Sequence, residues 1–172
     1  MSEKSNITKI YFDMDGVLAD FERGVRELCG IEPIGQGSAT DEQTDRLWEA
    51  VKKVPHFYLK LEPVKGAAKL FNEVRAKFKE NCQILTGIPK PRRGIENAGD
   101  DKIAWAHKFL SPDVKVNVVF REEKTKFCSG KDCVLIDDYE KNISEWENAG
   151  GKGILFTSAE EARKELEKML SS

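Results

Sequence analysis

The sequence has little histidine, no long apolar run and almost no excess of either charge. Its 172 residues include two histidines, His56 and His107, and neither has partners at the spacing of a metal site. No apolar stretch approaches the roughly 20 residues that cross a bilayer. The 28 basic and 30 acidic residues leave a formal net charge of -2, a field too weak to hold nucleic acid or an anionic membrane. We therefore expect a soluble protein whose partner is neither a nucleic acid polymer nor a membrane.

Cysteine is also scarce, and its four residues show neither a CxxC pair nor the framework of a secreted disulfide protein. The N-terminal stretch MSEKSN has no apolar segment of the kind found in a signal peptide. We therefore expect reduced thiols and a cytoplasmic location. Cys128 and Cys133 are close in sequence, so a redox or metal-binding role for this pair is an alternative, although Cys133 lies in an apolar run typical of a core.

Short apolar runs alternate along the chain with helical patterns. The runs have the length of strands and contain β-branched or aromatic residues. They are Ile10–Phe12, Cys82–Leu85, Val114–Phe120, Val134–Ile136 and Gly153–Phe156. A helix is predicted where apolar residues recur every three or four positions from Ala67 to Phe78, and another after the capping pair Ser158 and Glu161. This alternation predicts a Rossmann-like three-layer α/β/α fold around a parallel sheet.

A long insertion, from about Val17 to Pro63, separates the first strand from the next βα unit. It contains one predicted helix from about Leu18 to Cys29, the loop IEPIGQGSAT and a second helix opened by Thr40. A connection of this length in a compact domain usually covers a site. We therefore predict a core domain formed by residues 1–16 and 64–172, and a small helical cap formed by residues 17–63.

Polar residues follow four of the predicted strands. They are Asp13 and Asp15 after the first, Thr86 and Gly87 after the second, Lys124 after the third, and Asp137 and Asp138 after the fourth. The carboxyl ends of adjacent parallel strands meet at one edge of the sheet, where ligands bind in such folds. Four carboxylates this close would raise one another's pKa values unless a cation lay among them. Oxygen ligands suit a hard ion, and Mg²⁺ bound by carboxylates commonly also contacts phosphate.

This set of side chains suits phosphoryl transfer. A lysine and a threonine hydroxyl can stabilise the phosphoryl oxygens, and an aspartate can attack phosphorus to form an aspartyl-phosphate. Asp13 and Asp15 are two residues apart, so along an extended strand both side chains point to the same face. One can then attack while the other exchanges a proton with the leaving oxygen. Gly16 follows directly and fits a tight turn close to the ligand.

These motifs resemble the haloacid dehalogenase superfamily of phosphotransferases. DMDGVLADF, ILTG, the lysine of REEKT and LIDD occur in the order of that superfamily's four-part pattern, and the resemblance covers nearly the whole chain. Together with FYLKLEPVKGA and DKIAWAHKFL, DMDGVLADF is similar to the 5'(3')-deoxyribonucleotidase branch, whose members dephosphorylate nucleoside monophosphates. The resemblance implies a Mg²⁺-dependent phosphomonoesterase that acts on (deoxy)ribonucleoside monophosphates through an aspartyl-phosphate.

The resemblance also implies a role for each matching carboxylate. Asp13 would be the nucleophile, and Asp15 the general acid and base, with its main-chain carbonyl also on Mg²⁺. Asp137 and Asp138 would complete the metal site with these two residues. Either one of them caps the helix that begins near Tyr139 while the other binds the ion, or both bind it.

Other matching residues would hold the substrate. Thr86, Gly87 and Lys124 would bind the phosphate, and Phe21, Phe57 and Tyr58 would contact the base or the sugar. For the three aromatic residues, packing in the core is an equal alternative, because an aromatic stripe on a helix face is often core.

Several other residues are expected outside the site. Lys102 could reach a phosphate from the start of its helix, but a solvated helix face is the favoured interpretation. Trp48, Trp105 and Trp146 fit helix faces and are expected in the core. The loop GIPKPRRGIENAGDD has no assigned role.

Two other functions fit much of this pattern. The first is the same chemistry on another small ester, such as a sugar phosphate or phosphoglycolate. The second is a signalling receiver domain, which also arranges aspartates, a hydroxyl and a lysine around Mg²⁺ on a parallel sheet. In a receiver the acidic pair would be expected at the first strand and the lysine at the last, whereas here the adjacent pair comes late. The sequence leaves a monomer and a homodimer open.

Overall fold

Five strands form one parallel sheet in the computed structural model, which describes residues 5–172. They are β1 Lys9–Phe12, β2 Cys82–Gly87, β3 Val116–Val119, β4 Cys133–Asp137 and β5 Lys152–Leu155. Their order across the sheet is β3-β2-β1-β4-β5, so β1 is the central strand. Residues 1–4 lie outside the described residues. They belong to the stretch MSEKSN, in which no signal segment is predicted. The predicted parallel sheet is confirmed.

Successive strand residues point to opposite faces of the sheet, and each face has its own apolar cluster. One cluster includes Ile10, Phe12, Ile84, Val134 and Ile136. The other includes Tyr11, Leu85, Cys133 and Leu135. Both faces are therefore removed from water, which explains why these strands are mainly apolar and show no regular alternation of apolar and polar residues.

Helices cover both faces. Within residues 5–172 the α-helices are α1 Phe21–Cys29, α2 Asp41–Lys52, α3 Ala67–Phe78, α4 Ala98–Phe109, α5 Glu140–Asn148 and α6 Ala159–Ser171. The first cluster contains Phe71 of α3, Trp105 of α4 and Leu166 of α6, whereas the second contains Ile143 and Trp146 of α5. The sheet thus lies between two helical layers, and the three-layer prediction is confirmed.

Two predicted elements are shorter in the structure, while the ends of the other strands differ by one or two residues. The first helix begins at Phe21, not near Leu18, because the NH groups of Leu18 and Ala19 are bound by the carbonyl of Met14 in a turn. Asp20 then caps the helix by accepting a hydrogen bond from the Arg23 NH at 3.2 Å. The third strand, predicted from 114 to 120, is limited to residues 116–119, which are the residues that pair with β2.

The helix starts at Thr40 and Ser158 are confirmed. Thr40 forms the complete capping box with Gln43, and the Ser158 hydroxyl accepts a hydrogen bond from the Glu161 NH at 3.2 Å. Each cap satisfies NH groups that the helix itself cannot bind. Among the described residues, the structure has no helix with the length and apolar character needed to cross a membrane.

The insertion that precedes α3 contains α1, α2 and a 3₁₀ turn at Phe57–Lys60. Its two ends lie side by side: the Asp20 NH donates to the Glu62 carbonyl, and the Val64 NH donates to the Leu18 carbonyl, both at 2.8 Å. The inserted helices therefore leave and rejoin the core at one narrow place, directly after the residues that end β1.

Candidate active site

The site lies where the strand order reverses. After β1 the chain builds β2 and β3 on one side, and it then returns to place β4 on the other side of β1. The end of β1 at Phe12 is in register with Ile136 of β4 and Ile84 of β2. The residues that follow these positions therefore meet at one edge, as expected at the switch point of a parallel sheet.

Three carboxylates meet at this edge. Asp13, Asp137 and Asp138 each offer an oxygen, and these oxygens lie within 4.8 Å of one another. Asp13 is 7% exposed and Asp137 is fully buried. Asp138 is more exposed as a residue, but its carboxylate lies over the Gly16 backbone, where an added Cβ would be 2.0 Å from Asp138 Oδ2. The φ of +81° at Gly16 and this close approach both require glycine there.

The protein itself neutralises this cluster only in part. Burial raises the pKa of Asp13 to about 7, and the charge of Asp137 adds to this effect, while Lys124 opposes it. Burial and the charges of Asp13 and Asp137 raise the pKa of Asp138 to about 9. A hard divalent cation would relieve this concentration of negative charge, and it prefers oxygen ligands. Asp13, Asp137 and Asp138 could hold such a cation.

Lys124 bridges two of these carboxylates. Its Nζ lies 2.9 Å from Asp13 Oδ1 and 2.8 Å from Asp137 Oδ2, and the residue is 4% exposed. Burial alone would lower the pKa of Lys124, but the attraction of the two carboxylates outweighs burial and raises it. The ammonium is therefore charged, and its 3₁₀ segment Arg121–Phe127 after β3 brings it to Asp13.

Asp137 is held by two further groups. The Tyr139 NH donates to Asp137 Oδ1 at 2.9 Å, and Asn142 Nδ2 donates to Oδ2 at 3.1 Å. Arg121 in turn donates to Asn142 Oδ1 at 2.8 Å, which fixes the orientation of the amide. The sequence prediction did not include Asn142 in the site. Its position in the first turn of the helix that follows the acidic pair could have indicated it.

Lys102 corrects the sequence prediction of a solvated helix face. The residue is fully buried. Its Nζ lies 2.7 Å from Asp15 Oδ2, 3.0 Å from Thr86 Oγ1 and 2.6 Å from the Gly87 carbonyl oxygen. The sequence signal was available, since Lys102 stands three residues before the buried Trp105 and shares its helix face.

The aromatic residues of the insertion form a contiguous group. Phe57 and Tyr58 are 2% and 1% exposed, so the core alternative applies to them, while Phe21 is partly exposed. The rings of Phe21 and Tyr58 are stacked with centroids 6.5 Å apart, and Lys102 Nζ lies 4.6 Å from the Tyr58 centroid. Through Tyr58 and Lys102, Phe21 is thus connected to Asp15. Trp105 and Trp146 are fully buried as predicted, and Trp48 is half-buried against the core.

Polar contacts join the insertion to the core around this edge. His56 Nδ1 lies 3.1 Å from Asp101 Oδ1, next to Lys102 on α4. Arg93, in the loop without an assigned role, pairs with Asp45 of α2. Both contacts place the inserted helices over the α4 side of the site.

A cavity of about 570 Å³ lies elsewhere, at the amino ends of β2 and β3. Its lining includes Arg75, Glu80 and Asp113, with Arg75 and Asp113 already paired at 2.9 Å. It contains no grouping of carboxylates like that beside Lys124. The cluster of carboxylates and Lys124 lies at the opposite edge of the sheet.

Comparison with known proteins agrees with this geometry. Residues 6–169 match the family described as "5' nucleotidase, deoxy (Pyrimidine), cytosolic type C protein". The chain is 26% identical over 179 residues to the human mitochondrial 5'(3')-deoxyribonucleotidase, covering 92% of this chain and 74% of that protein. It is 28% identical over 165 residues to the human cytosolic type of the same enzyme, covering 87% and 79%.

Solved structures share the fold at lower identity. A dehalogenase crystallised as an intermediate complex has a TM-score of 0.62 and 12% identity, covering 98% of this chain and 99% of that one. A haloacid dehalogenase-like hydrolase from Streptococcus pneumoniae has a TM-score of 0.56 and 13% identity, covering 88% and 85%. These similarities concern the arrangement of the sheet and its helices.

Proposed function

This chain belongs to the family of cytosolic type C deoxy (pyrimidine) 5' nucleotidases, and on that premise we propose that it hydrolyses (deoxy)ribonucleoside monophosphates through an aspartyl-phosphate on Asp13. Family membership makes it a phosphoric monoester hydrolase and sets aside the receiver interpretation. The observation that carries the finer proposal is the meeting of Asp13, Lys124 and Asp137 beside Asp138 at the switch point of the sheet.

Mg²⁺ fits the carboxylate cluster. Asp13, Asp137 and Asp138 would hold it, with the main-chain carbonyl of Asp15 as a further ligand. The raised pKa values of Asp13 and Asp138 support a cation site there, because a cation would stabilise their charged forms. When bound, the ion would neutralise the carboxylates and the phosphoryl oxygens. The buried Lys124 supplies the protein's own positive charge at the same place.

Asp13 is the proposed nucleophile. Its Oδ2 would attack phosphorus, while Lys124 holds Oδ1 at 2.9 Å. The bond between phosphorus and the ester oxygen then breaks, and the leaving oxygen takes a proton from Asp15. In the second half of the reaction Asp15 takes a proton from water, water attacks phosphorus, and Asp13 is released.

Asp15 is oriented for this proton transfer. Lys102 holds its Oδ2 at 2.7 Å, while its Oδ1 is buried and has no hydrogen-bond partner among the described residues. We infer that Oδ1 is the atom that carries the proton. Lys102 is therefore a positioning residue, since it acts on the reaction through Asp15.

Lys102 also directs the hydroxyl of Thr86. Its ammonium donates to Thr86 Oγ1 at 3.0 Å, so the hydroxyl's own hydrogen is available to donate to a phosphoryl oxygen. Thr86 is fully buried, and its oxygen is the acceptor of the Lys102 ammonium. Thr86, Gly87 and Lys124 are accordingly proposed as the phosphate-binding groups.

Residues 17–63 are proposed as a cap that selects the leaving group, with the remaining residues as the catalytic core. Phe21 and Trp48 are the partly exposed aromatic residues of this segment, and of these two Phe21 is connected to Asp15 by the contacts through Tyr58 and Lys102. A flat base against Phe21 would agree with the substrates named for the human relatives, which are 5'(3')-deoxyribonucleotidases. These relatives include a mitochondrial and a cytosolic protein, so the cytoplasmic location stays a prediction.

The test is phosphate release from a panel of ribo- and deoxyribonucleoside monophosphates and sugar phosphates, with Mg²⁺ and with a chelator. We expect hydrolysis that requires Mg²⁺ and is fastest for a nucleoside monophosphate. Equal rates across the panel would remove the nucleotide preference and leave a general phosphatase. Faster turnover of a sugar phosphate or phosphoglycolate would favour the alternative substrate class.

A further inference from the structure

Two thiols meet on the face of the sheet that α5 covers. Cys128 Sγ and Cys133 Sγ are 3.5 Å apart. Cys128 ends the 3₁₀ segment that carries Lys124, and Cys133 begins β4, which ends at Asp137. Among residues 5–172, no comparable thiol contact joins Cys29 and Cys82 to each other or to this pair. The pair therefore links the two segments that supply the Lys124–Asp137 ion pair.

The local backbone brings these sulfurs together. Gly151 passes so close to Cys128 that an added Cβ would lie 2.8 Å from its Sγ. The loop between the two cysteines turns at Gly130, whose φ is +121°, and the Ser129 NH donates to Cys133 Sγ at 3.2 Å. A disulfide has an S–S length near 2.05 Å, so the sulfurs must approach by about 1.5 Å from their separation of 3.5 Å. Side-chain rotation within a six-residue loop can supply a movement of this size.

The two thiols differ in access. Cys133 is fully buried, whereas Cys128 is partly exposed and contacts the carbonyl oxygens of Trp146 and Ala149 at 3.9 and 3.7 Å. A small oxidant can thus reach Cys128 first, and Cys133 is in place to react second. This is the arrangement of an attacking and a resolving thiol.

We propose that Cys128 and Cys133 form a reversible dithiol–disulfide site that, when oxidised by a low-molecular-weight disulfide, joins the Lys124 segment to β4. The Cys128 thiolate attacks one sulfur of the external disulfide, a mixed disulfide forms, and one external thiolate leaves. The Cys133 thiolate then attacks the Cys128 sulfur and releases the second external thiolate. Two protein thiols are oxidised, one external disulfide is reduced to two thiols, and the protons pass to the released thiolates.

The experiment exposes the full chain to oxidised glutathione and then to dithiothreitol, with intact-mass and peptide mass spectrometry and thermal unfolding. The wild type is expected to lose the mass of two hydrogen atoms, to contain a peptide linked through Cys128 and Cys133, and to return to the starting mass on reduction. The melting temperature of the oxidised form should rise by about 5 °C, since a short disulfide loop restricts the unfolded chain.

Three variants separate the steps. Cys29→Ser should behave as the wild type, because the pair is intact. Cys133→Ser should accumulate a glutathione adduct at Cys128, and Cys128→Ser should form no disulfide. Because burial raises the pKa of Cys128, adduct formation on Cys133→Ser should accelerate as the pH rises.

Stable glutathione on Cys128 in the wild type, or a linkage that involves Cys29, would overturn the proposal. A linked form with an unchanged or lower melting temperature would show that the bond strains the fold, and it would overturn the joining role. None of these measurements uses phosphatase activity, so the result is independent of the proposed enzymatic function.

Discussion

Two buried lysines divide the charge of this site between them. Lys124 pairs with Asp13 and Asp137, and Lys102 pairs with Asp15. A buried ammonium without partners would be costly, so each lysine and its carboxylates depend on one another. The two ends of the proposed reaction, attack and proton transfer, are therefore held by different cations.

The nucleophile gives the most direct prediction at this scale. Asp13→Asn should reduce phosphate release on the order of 10³-fold or more, because the amide cannot form the aspartyl-phosphate. The fold should survive, because the substitution removes a carboxylate whose charged form is disfavoured by burial. Burial raises the pKa of Asp13 to about 7. Steady-state kinetics and thermal unfolding check both points.

The matched control is Asp113→Asn, which changes an exposed carboxylate at the opposite edge of the sheet and should keep wild-type turnover. Wild-type activity in Asp13→Asn would disprove the nucleophile assignment.

Lys102 gives a second prediction. Lys102→Met should lower kcat by about 10²-fold, within the range that a positioned general acid contributes, because Asp15 loses the group that orients it. If Lys102 acts mainly through Asp15, Lys102→Met should cost much less than about 10²-fold in the Asp15→Asn background, where only its contact with Thr86 is left to lose.

Lys108→Met, an exposed change on the same helix, is the control and should leave kcat unchanged. Losses that multiply in the double variant would mean that Lys102 does not act through Asp15.

The carboxylate cluster predicts how stability depends on pH without metal. The pKa values of Asp13 and Asp138, about 7 and about 9 in the folded protein, exceed their ordinary value of 3.8, so the folded state binds more protons than the unfolded state. This contribution to stability is fully present below about pH 4 and is lost as the pH rises through about 7 and then about 9. Mg²⁺ should restore stability in that upper range.

Thermal unfolding in chelator and in Mg²⁺, at pH 6 and pH 9, measures this effect. The melting temperature should fall with pH in chelator, and Mg²⁺ should raise it more at pH 9. In Asp13→Asn the fall should be smaller. An equal effect of Mg²⁺ at both pH values would exclude these carboxylates as the ligands.

At the scale of elements, the turn after β1 fixes the cluster. Gly16 has a positive φ, and the Asp138 carboxylate from the β4–α5 connection lies directly against it. The turn that follows β1 thus positions the Asp138 side chain, which follows the neighbouring strand β4. This contact joins β1 to the β4 side of the sheet at the point where the strand order reverses.

Gly16→Ala should therefore cost more than backbone strain. The left-handed conformation alone costs an alanine about 1–2 kcal/mol, but here the new Cβ would also displace the Asp138 carboxylate. We expect a large loss of turnover together with weaker binding of Mg²⁺. Kinetics over a Mg²⁺ titration should show a higher Mg²⁺ concentration at half-maximal activity.

Gly30→Ala provides the control, because Gly30 has a similar φ of +69° and open space around the new Cβ. It should lose only the stability that the left-handed conformation costs an alanine, and it should keep its activity. Equal activity in the two variants would contradict the importance of the Asp138 position.

At the scale of the whole molecule, the proposed reacting groups and the proposed base contact lie in different segments of the chain. The carboxylates and lysines belong to the sheet edge and α4, while Phe21 belongs to the inserted segment that leaves the core just after β1. The two parts meet where Lys102 Nζ of α4 lies 4.6 Å from the ring centroid of Tyr58, which stacks on Phe21 within the insertion. On the proposed function, we expect a change in the insertion to alter substrate choice without altering the reacting groups.

Phe21→Ala should raise KM for a nucleoside monophosphate several-fold and leave kcat/KM for a small aryl phosphate nearly unchanged. A several-fold change corresponds to about 1 kcal/mol, the low end of the range for one base–aromatic contact. Leu28→Ala, an exposed apolar change on the same helix, is the control. Equal effects on both substrates would mean that Phe21 supports the fold and does not select the base.

The sequence by itself determined the parallel α/β fold, the long insertion and the order of polar strand ends, because these depend on local periodicity and on the residues directly after each strand. It also placed Thr40 and Ser158 correctly, since a helix cap is a local hydrogen bond. Only the tertiary structure decided the position of Lys102, which contacts Asp15 across 87 residues of sequence, and the separation of the Cys128 and Cys133 sulfurs. Such contacts depend on how distant elements pack, and the spacing of residues along the chain contains no measure of that.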